Sequence, residues 1–497
     1  MSYFIGIDVS TTATKALLMD ATGSIVSIGR SVYDFETPHP LWSEQSPHLW
    51  WDGAVYAIRE VLAKASIDGG SVRGVGLTGQ MHGLVLLDEA GKVLRPSILW
   101  NDQRTRAECD EIRDIVGREA LISTTGNDAL TGFTAPKVLW VRNHEPEVYG
   151  RIARILLPKD YVRYRLTGEY AVDRAGGSGT ILFDLAERDW SLDIVRSLDI
   201  SPEWLPRTFE GTQVTGVVTG EAAALTGLDP GTPVVAGGGD QAANAVGVGA
   251  VAPGVVALSV GTSGVVFASA DRPVIEPEGR LHAFCHAVPD TWHLMGVMLS
   301  AAGSYKWFRE ALAPDLGYAD LDGEAQEVSP GADGLIFLPY LSGERTPHPD
   351  PLARGAFVGL TTRHRLGHLA RAVLEGVAFG LRDSVELMAA QMELGDVRVS
   401  GGGASSGVWL RIIADTLGLP VRAVGTAEAA AHGAAILAAT GAGAFGSVVE
   451  GSTAAVEVGE TVEPGADAAV YEDVYSVYRD LYPALRASFT RLSELDG

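Results

Sequence analysis

Asp8 and Asp240 are the carboxylates of this chain whose neighbours best equip them for chemistry. Each follows an apolar, strand-like stretch and stands at a turn of small residues: Asp8 within Gly6–Lys15 (GIDVSTTATK), and Asp240 directly after Gly237, Gly238 and Gly239 (GGGDQAAN). Turns of this composition present free backbone N–H groups and hydroxyls that can wrap phosphate oxygens. A carboxylate beside them can hold a hydrated Mg²⁺. Asp8 with Thr11, Thr12 and Lys15 therefore reads as a clamp for phosphate and metal. A second turn of the same design, Leu258–Gly264 (LSVGTSG), offers Gly261 and Thr262. A third, Val399–Ser406 (VSGGGASS), supplies Gly402 and Gly403, against which a flat base and ribose can lie, and Ser406, which can bond the base or cap the following helix. Two phosphate clamps, a nucleoside turn and a carboxylate able to take a proton from an attacking hydroxyl outline a phosphotransferase that uses ATP and Mg²⁺.

Each of these motifs has a plainer reading. Asp8 and its threonines can satisfy a hairpin turn, Asp240 can cap a helix, and GGGASS can be an ordinary loop. The pairing of two similar turns favours the clamp, because a lone turn needs no counterpart. His82, set between Gln80 and Gly83 in LTGQMHGLVLL, is read as available to donate to a sugar hydroxyl or carbonyl, against the plainer role of a structural histidine. His282, Cys285 and His286 have a spacing that suggests metal binding, but the segment alternates like a strand and the chain is poor in such ligands.

The elements that must position these residues alternate strand and helix. The first half reads as strands at Tyr3–Val9, Thr14–Met19 and Ile25–Tyr33, a helix over Pro47–Ala65, and strands at Val72–Thr78 and Gly83–Leu87. A second half is expected to begin near Thr232–Gly237. It continues with a strand pair around 255–268, helices near 301–312 and 365–392, the strand Val397–Ser400 and a helix over 407–417. Both halves open on a hairpin that carries a clamp turn, which suggests an internal duplication. Near the end, Tyr471, Val474, Tyr475, Tyr478, Leu481, Tyr482 and Leu485 form one stripe of a helix that packs on the body.

Composition bounds the rest. The chain has 497 residues, more than one hydrophobic core usually supports, so two domains sharing a tight hinge and a cleft are expected. A formal charge of −24 argues against nucleic acid and anionic membrane as partners. Two cysteines fit a reducing compartment. With no leader pattern and no long apolar run, a cytoplasmic protein is expected. A homodimer is expected only from how common twofold assemblies are.

Beyond the clamps, GFTAPKVLWVRNH at 132–144 and GAFVGLTTRHRLGHLARAVLE at 355–375 resemble the two signatures of the FGGY carbohydrate kinases. GQMHG, WNDQRT (100–105), PKDYVRYRLTG (158–168), SGTILFDLAERDWS (178–191) and LPYLSGERTPHPDP (338–351) resemble the branch that acts on D-xylulose. The resemblance implies an α/β protein of two ribonuclease-H-like domains, of the actin and hexokinase type, flanking an interdomain cleft. Residues 1–243 would hold the sugar side and the first phosphate clamp, and residues 244–497 the second clamp and the adenosine site. It further implies phosphorylation of the sugar at O5, with Asp240 as base and Asp8 beside the metal and phosphates. Met81, His82, Asp102 and Gln241 would meet the sugar, and Gly402 and Ser406 the nucleoside. Ser406 and Gln241 stand where some relatives carry Asn. Another ketose or alditol as acceptor, a non-catalytic sugar sensor and an actin-like structural role are the alternatives; a sensor is expected to lack the base or a clamp.

Overall fold

The computed structural model describes residues 2–426 and 428–496. Two mixed sheets organise the molecule, and they share one plan. In the first, Tyr3–Val9, Ala13–Asp20 and Ile25–Val32 form an antiparallel meander, and Val72–Gly79 and then Pro233–Val235 add in parallel on the other side of Tyr3–Val9. In the second, Val256–Val260, Gly264–Ala270 and Trp292–Met298 form the meander, and Val397–Ser400 and Val421–Val424 add in parallel beside Val256–Val260. A helix precedes the fourth strand in each: Pro47–Ala65 and Leu366–Ala389. Three antiparallel and two parallel strands in this order are the ribonuclease-H-like plan, so the duplication suggested by the paired hairpins is present as topology.

Pro233–Val235 belongs to the first sheet, which corrects the expectation that a second half opens there. Its parallel pairing with Val72–Gly79 decides its membership, and pairing across more than 150 positions leaves no local trace in sequence. The stretch Gly83–Leu87 also departs from expectation: only Val85–Leu87 is strand, and it pairs with Arg154–Leu156 in a separate small sheet.

The fifth strand of each sheet leads into a helix, Asp240–Gly247 in the first half and Ala429–Gly441 in the second. These two helices pack on each other, and Ala429–Gly441 also lies across the first sheet. Glycine makes the approach possible: a Cβ on Gly433 would sit 1.8 Å from the Ala243 carbonyl oxygen, and one on Gly6 would sit 1.8 Å from that of Ala431. The expected boundary after residue 243 lies within the first of these helices. A single apolar cluster here joins Phe4, Leu17 and Val246 of the first half to Phe267, Val424 and Ile436 of the second. Further apolar contacts join the halves, Phe183 and Leu185 with the second core and Phe284 and Met295 with the cluster of Phe133.

The tail forms the helix Ala468–Asp496. Tyr471, Tyr475, Tyr478 and Tyr482 are buried, as the stripe required. Each hydroxyl finds a partner, among them Glu375 for Tyr471 and Asp383 for Tyr475, because a buried phenol without one is costly.

Candidate active site

Strand order brings the two aspartates together. Asp8 and Gly238 both face Thr78 in register, one on each side of the strand Val72–Gly79, which sets them roughly 10 Å apart at the Cα atoms, two strand spacings. Asp240 is two residues further on, in the first turn of Asp240–Gly247. Parallel strands ending together are where open α/β sheets bind ligands, and three glycine-bearing turns leave the sheet at this edge.

Asp8 is buried. Its Oδ2 accepts from Ser10 Oγ at 2.8 Å, whereas Oδ1 is enclosed without a hydrogen-bond partner. Burial raises its pKa against the pull of Lys15. The turn around it is braced from behind: Tyr33 Oη donates to the Ser10 carbonyl at 2.9 Å and Gln45 Nε2 to the Thr11 carbonyl at 2.9 Å. With the carbonyls held inward, the N–H groups of Thr11 and Thr12 meet no acceptor among the described residues. Thr11 Oγ1 accepts from Trp100 Nε1 at 3.0 Å, and the Thr12 side chain is exposed. Lys15 is otherwise engaged, 2.5 Å from Glu428 at the start of Ala429–Gly441, so contact with a phosphate requires it to exchange that partner.

Asp240 sits half-buried with one oxygen accepting from the Gln241 N–H at 2.8 Å. Burial first, and then the Asp8 charge, push its pKa from the ordinary 3.8 up to about 7. The helix N-terminus that would favour its charge is outweighed. Gly239 ahead of it is pressed against Met81, whose Sδ would lie 2.9 Å from an added Cβ.

His82 has a left-handed backbone, φ 69°, and its carbonyl is gripped by Lys137 Nζ at 2.9 Å and Thr134 Oγ1 at 3.1 Å. Lys137 is wholly buried, and burial lowers its pKa to about 7. The imidazole Nδ1 is 2.6 Å from the Gly179 carbonyl, which can only accept, so Nδ1 carries the proton and Nε2 presents a lone pair. Burial lowers its pKa to about 3, which keeps it neutral. The sequence expectation that His82 donates to a sugar is corrected: its donor is already committed, and toward a ligand it accepts.

Asp102 is completely buried, and both its oxygens bind the chain itself, from Arg104 at 2.7 to 3.0 Å and from the Ser43 N–H at 2.6 Å. Arg104 in turn stacks on Trp42, 3.7 Å from the ring centre. Contact of the Asp102 carboxylate with a ligand would require breaking this pair. Gln241 is half-buried beside Asp240.

Across the cleft, Gly261 and Thr262 end Val256–Val260, and Gly401–Ser406 end the adjacent parallel strand. Thr262 is exposed, and its carbonyl accepts from Ala301 and Gly303 N–H groups at the start of Ala302–Leu312, fixing the turn to that helix. Gly401 has φ 84°, and a Cβ there would meet the Val260 carbonyl at 2.8 Å, so only glycine fits. Gly402 faces open space, while Gly403 is buried on Val260. Ser406 Oγ accepts from the Trp409 N–H at 3.2 Å and caps Gly407–Leu417, leaving its O–H free to donate. By topology GGGASS is the counterpart of GQMHG, since each follows the fourth strand of its sheet.

Sequence reasoning missed Lys137, Gln45, Tyr33 and Trp100. Lys137 alone carried a signal, a lysine inside the apolar run APKVLWV.

The fold, with glycine-bearing turns at matching strand ends, defines a nucleotide-using phosphotransferase of the actin and hexokinase type. Residues 3–247 match the N-terminal domain and residues 256–442 the C-terminal domain of the FGGY family of carbohydrate kinases, and the chain belongs to that family. It is 44% identical over 416 residues to a xylulose kinase of Escherichia coli, covering 84% of this chain and 85% of that one. The structure of a xylulose kinase from Rhodospirillum rubrum superposes with a TM-score of 0.92 at 36% identity, covering 98% of this chain and all of the other. A gluconate kinase from Lactobacillus acidophilus superposes with a TM-score of 0.93 at 28% identity, covering 99% of each chain.

Proposed function

We propose that this protein transfers the γ-phosphoryl group of ATP to O5 of D-xylulose, giving D-xylulose 5-phosphate and ADP. The observation that carries this reading is the likeness to xylulose kinases over most of the chain. The site geometry supports it. A sugar lying along Met81 and His82 has its terminal hydroxyl toward Asp240. As the bond from O5 to the γ-phosphorus forms and the bond to the bridging oxygen breaks, the O5 proton passes to the Asp240 carboxylate and ADP leaves. A base near pKa 7 suits a hydroxyl that becomes acidic only in the transition state.

Thr11 and Thr12 on one side and Gly261 and Thr262 on the other would hold the phosphates, with Lys15 joining when it leaves Glu428. Gly402, Gly403 and Ser406 would receive the nucleoside. Residues 1–243 would carry the sugar side and residues 244–497 the adenosine side. Asp8 suits Mg²⁺, because its Oδ1 is enclosed without a partner, as a carboxylate built for a cation would be. When bound, Mg²⁺ neutralises charge that develops on the phosphate oxygens. Asp102 would act at a distance, by fixing the Arg104 and Trp42 wall. Two buried thiols and the acidic composition are in keeping with a cytoplasmic enzyme. Among the described residues no helix is long and apolar enough to cross a membrane.

An ATP-coupled assay across pentuloses and alditols tests the reading: D-xylulose should give the highest kcat/KM. Asp240→Asn should lower kcat roughly 10²- to 10⁴-fold while sugar and ATP still bind. Turnover of that variant close to the parent's would remove Asp240 from the role of base.

A further inference from the structure

The buried arginines among the described residues are paired: Arg104, Arg163, Arg188, Arg371 and Arg382 each meet a carboxylate at 2.7 or 2.8 Å. Arg345 differs. It is half-buried, yet among the described residues none accepts a hydrogen bond from its guanidinium. Glu344 beside it is turned to the backbone, its Oε1 accepting from the N–H groups of Leu299 at 3.0 Å and Arg345 at 2.7 Å. The loop is fixed, because Thr346 N–H donates to the Val297 carbonyl at 3.0 Å and Val297 N–H to Thr346 Oγ1 at 3.2 Å. Val297 and its neighbour Met295 pack against the cluster of Phe133 and Phe284 that backs the His82 ring.

Burial chiefly, and the Arg345 charge to a lesser degree, keep two imidazoles neutral, His82 from the first half and His282 from the second. His282 Nδ1 is 2.9 Å from Asn127 Oδ1, and Asn127 Nδ2 donates to the Ala283 carbonyl at 2.9 Å, which fixes the amide. His282 thus also presents Nε2 as an acceptor. This end of the cleft holds two acceptors and one unpaired cationic donor. Polyol hydroxyls can satisfy the acceptors, but a ketone oxygen takes only a donor. From Asp240 contacts run through Gly239, Met81 and Gly179 to His82, the imidazole that feels the Arg345 charge.

We propose that Arg345 is a substrate-binding residue contributed by the C-terminal half, whose guanidinium donates to the ketone oxygen and adjoining hydroxyl oxygen at the end of the sugar remote from the transferred phosphoryl group. It makes a ketose a better acceptor than the matching alditol. The inference rests on the acceptor-sugar reading above. The test compares Arg345→Gln and Arg345→Lys with the parent, using D-xylulose, xylitol and ATP as varied substrates, with thermal melts to establish folding. Arg345→Gln should raise KM for D-xylulose roughly 10- to 100-fold, raise that for xylitol clearly less, and leave KM for ATP within about twofold. Arg345→Lys, which keeps charge and loses the fork, should fall between, and it decides the matter if the glutamine variant fails to fold. An unchanged KM for the ketose, an equal rise for both sugars, or a rise confined to ATP would overturn the proposal. If the parent prefers a different sugar, the proposed function falls on that result alone. The same variants assayed with the preferred sugar then decide Arg345: a raised sugar KM supports it and an unchanged one overturns it.

Discussion

Asp240 and His82 are tuned in opposite directions by the same burial: one acid is made basic enough to accept a proton, and one base is made too weak to take one. The Asp240 carboxyl binds its proton more tightly in the fold than in the open chain. Its contribution to stability is therefore complete below about pH 3.8 and is lost as the pH rises toward 7. Asparagine cannot ionise. In metal-free buffer at pH 8, Asp240→Asn should be more stable than the parent by roughly 1–3 kcal/mol, and the gap should close by pH 4 in calorimetric or spectroscopic melts. A constant gap across that range would show that the carboxyl is not held near neutral pKa. For His82, asparagine keeps a donor for the Gly179 carbonyl and removes the Nε2 acceptor. His82→Asn should fold normally and raise the sugar KM about tenfold without moving that of ATP.

At the scale of elements, both halves use one device, in which the ends of the first, fourth and fifth strands of a sheet carry the working turns. The first strands lead into the turns GIDVSTTATK and LSVGTSG, the fourth into GQMHG and GGGASS, and the fifth into the paired helices Asp240–Gly247 and Ala429–Gly441. The motifs were legible because such turns are local: Gly, Ser and Thr stand next to one another in the chain. The helices Pro47–Ala65 and Gly407–Leu417 were legible for a similar reason, their apolar periodicity. What escaped was long-range. The strand Pro233–Val235 was placed in the wrong half, the tautomer of His82 depends on a carbonyl 97 positions away, and Ser406 was settled as a helix cap only by the Trp409 N–H. The helix crossing can be tested directly. Gly433→Ala drives a Cβ into the Ala243 carbonyl and should cost about 1–3 kcal/mol or more, read as a lowered Tm. Gly402→Ala, which meets nothing within 4 Å, should melt like the parent.

The whole molecule is a pair of halves joined by an apolar seam rather than by a tether. Because Phe4 and Leu17 of one lobe pack with Phe267 and Val424 of the other, the lobes should unfold together, giving one calorimetric transition; two separate transitions would contradict the seam. The acidic surface makes the local donors at the cleft edge more important, since ATP must be drawn in against the net charge. The account depends most on a terminal sugar hydroxyl surrendering its proton to Asp240. Phosphorus and carbon NMR of the product formed from D-xylulose and MgATP, by the parent and by Asp240→Asn, tests this most directly. The account predicts phosphate on O5 from the parent and essentially no product from the variant. Phosphate on another oxygen, or comparable product from both, would contradict it.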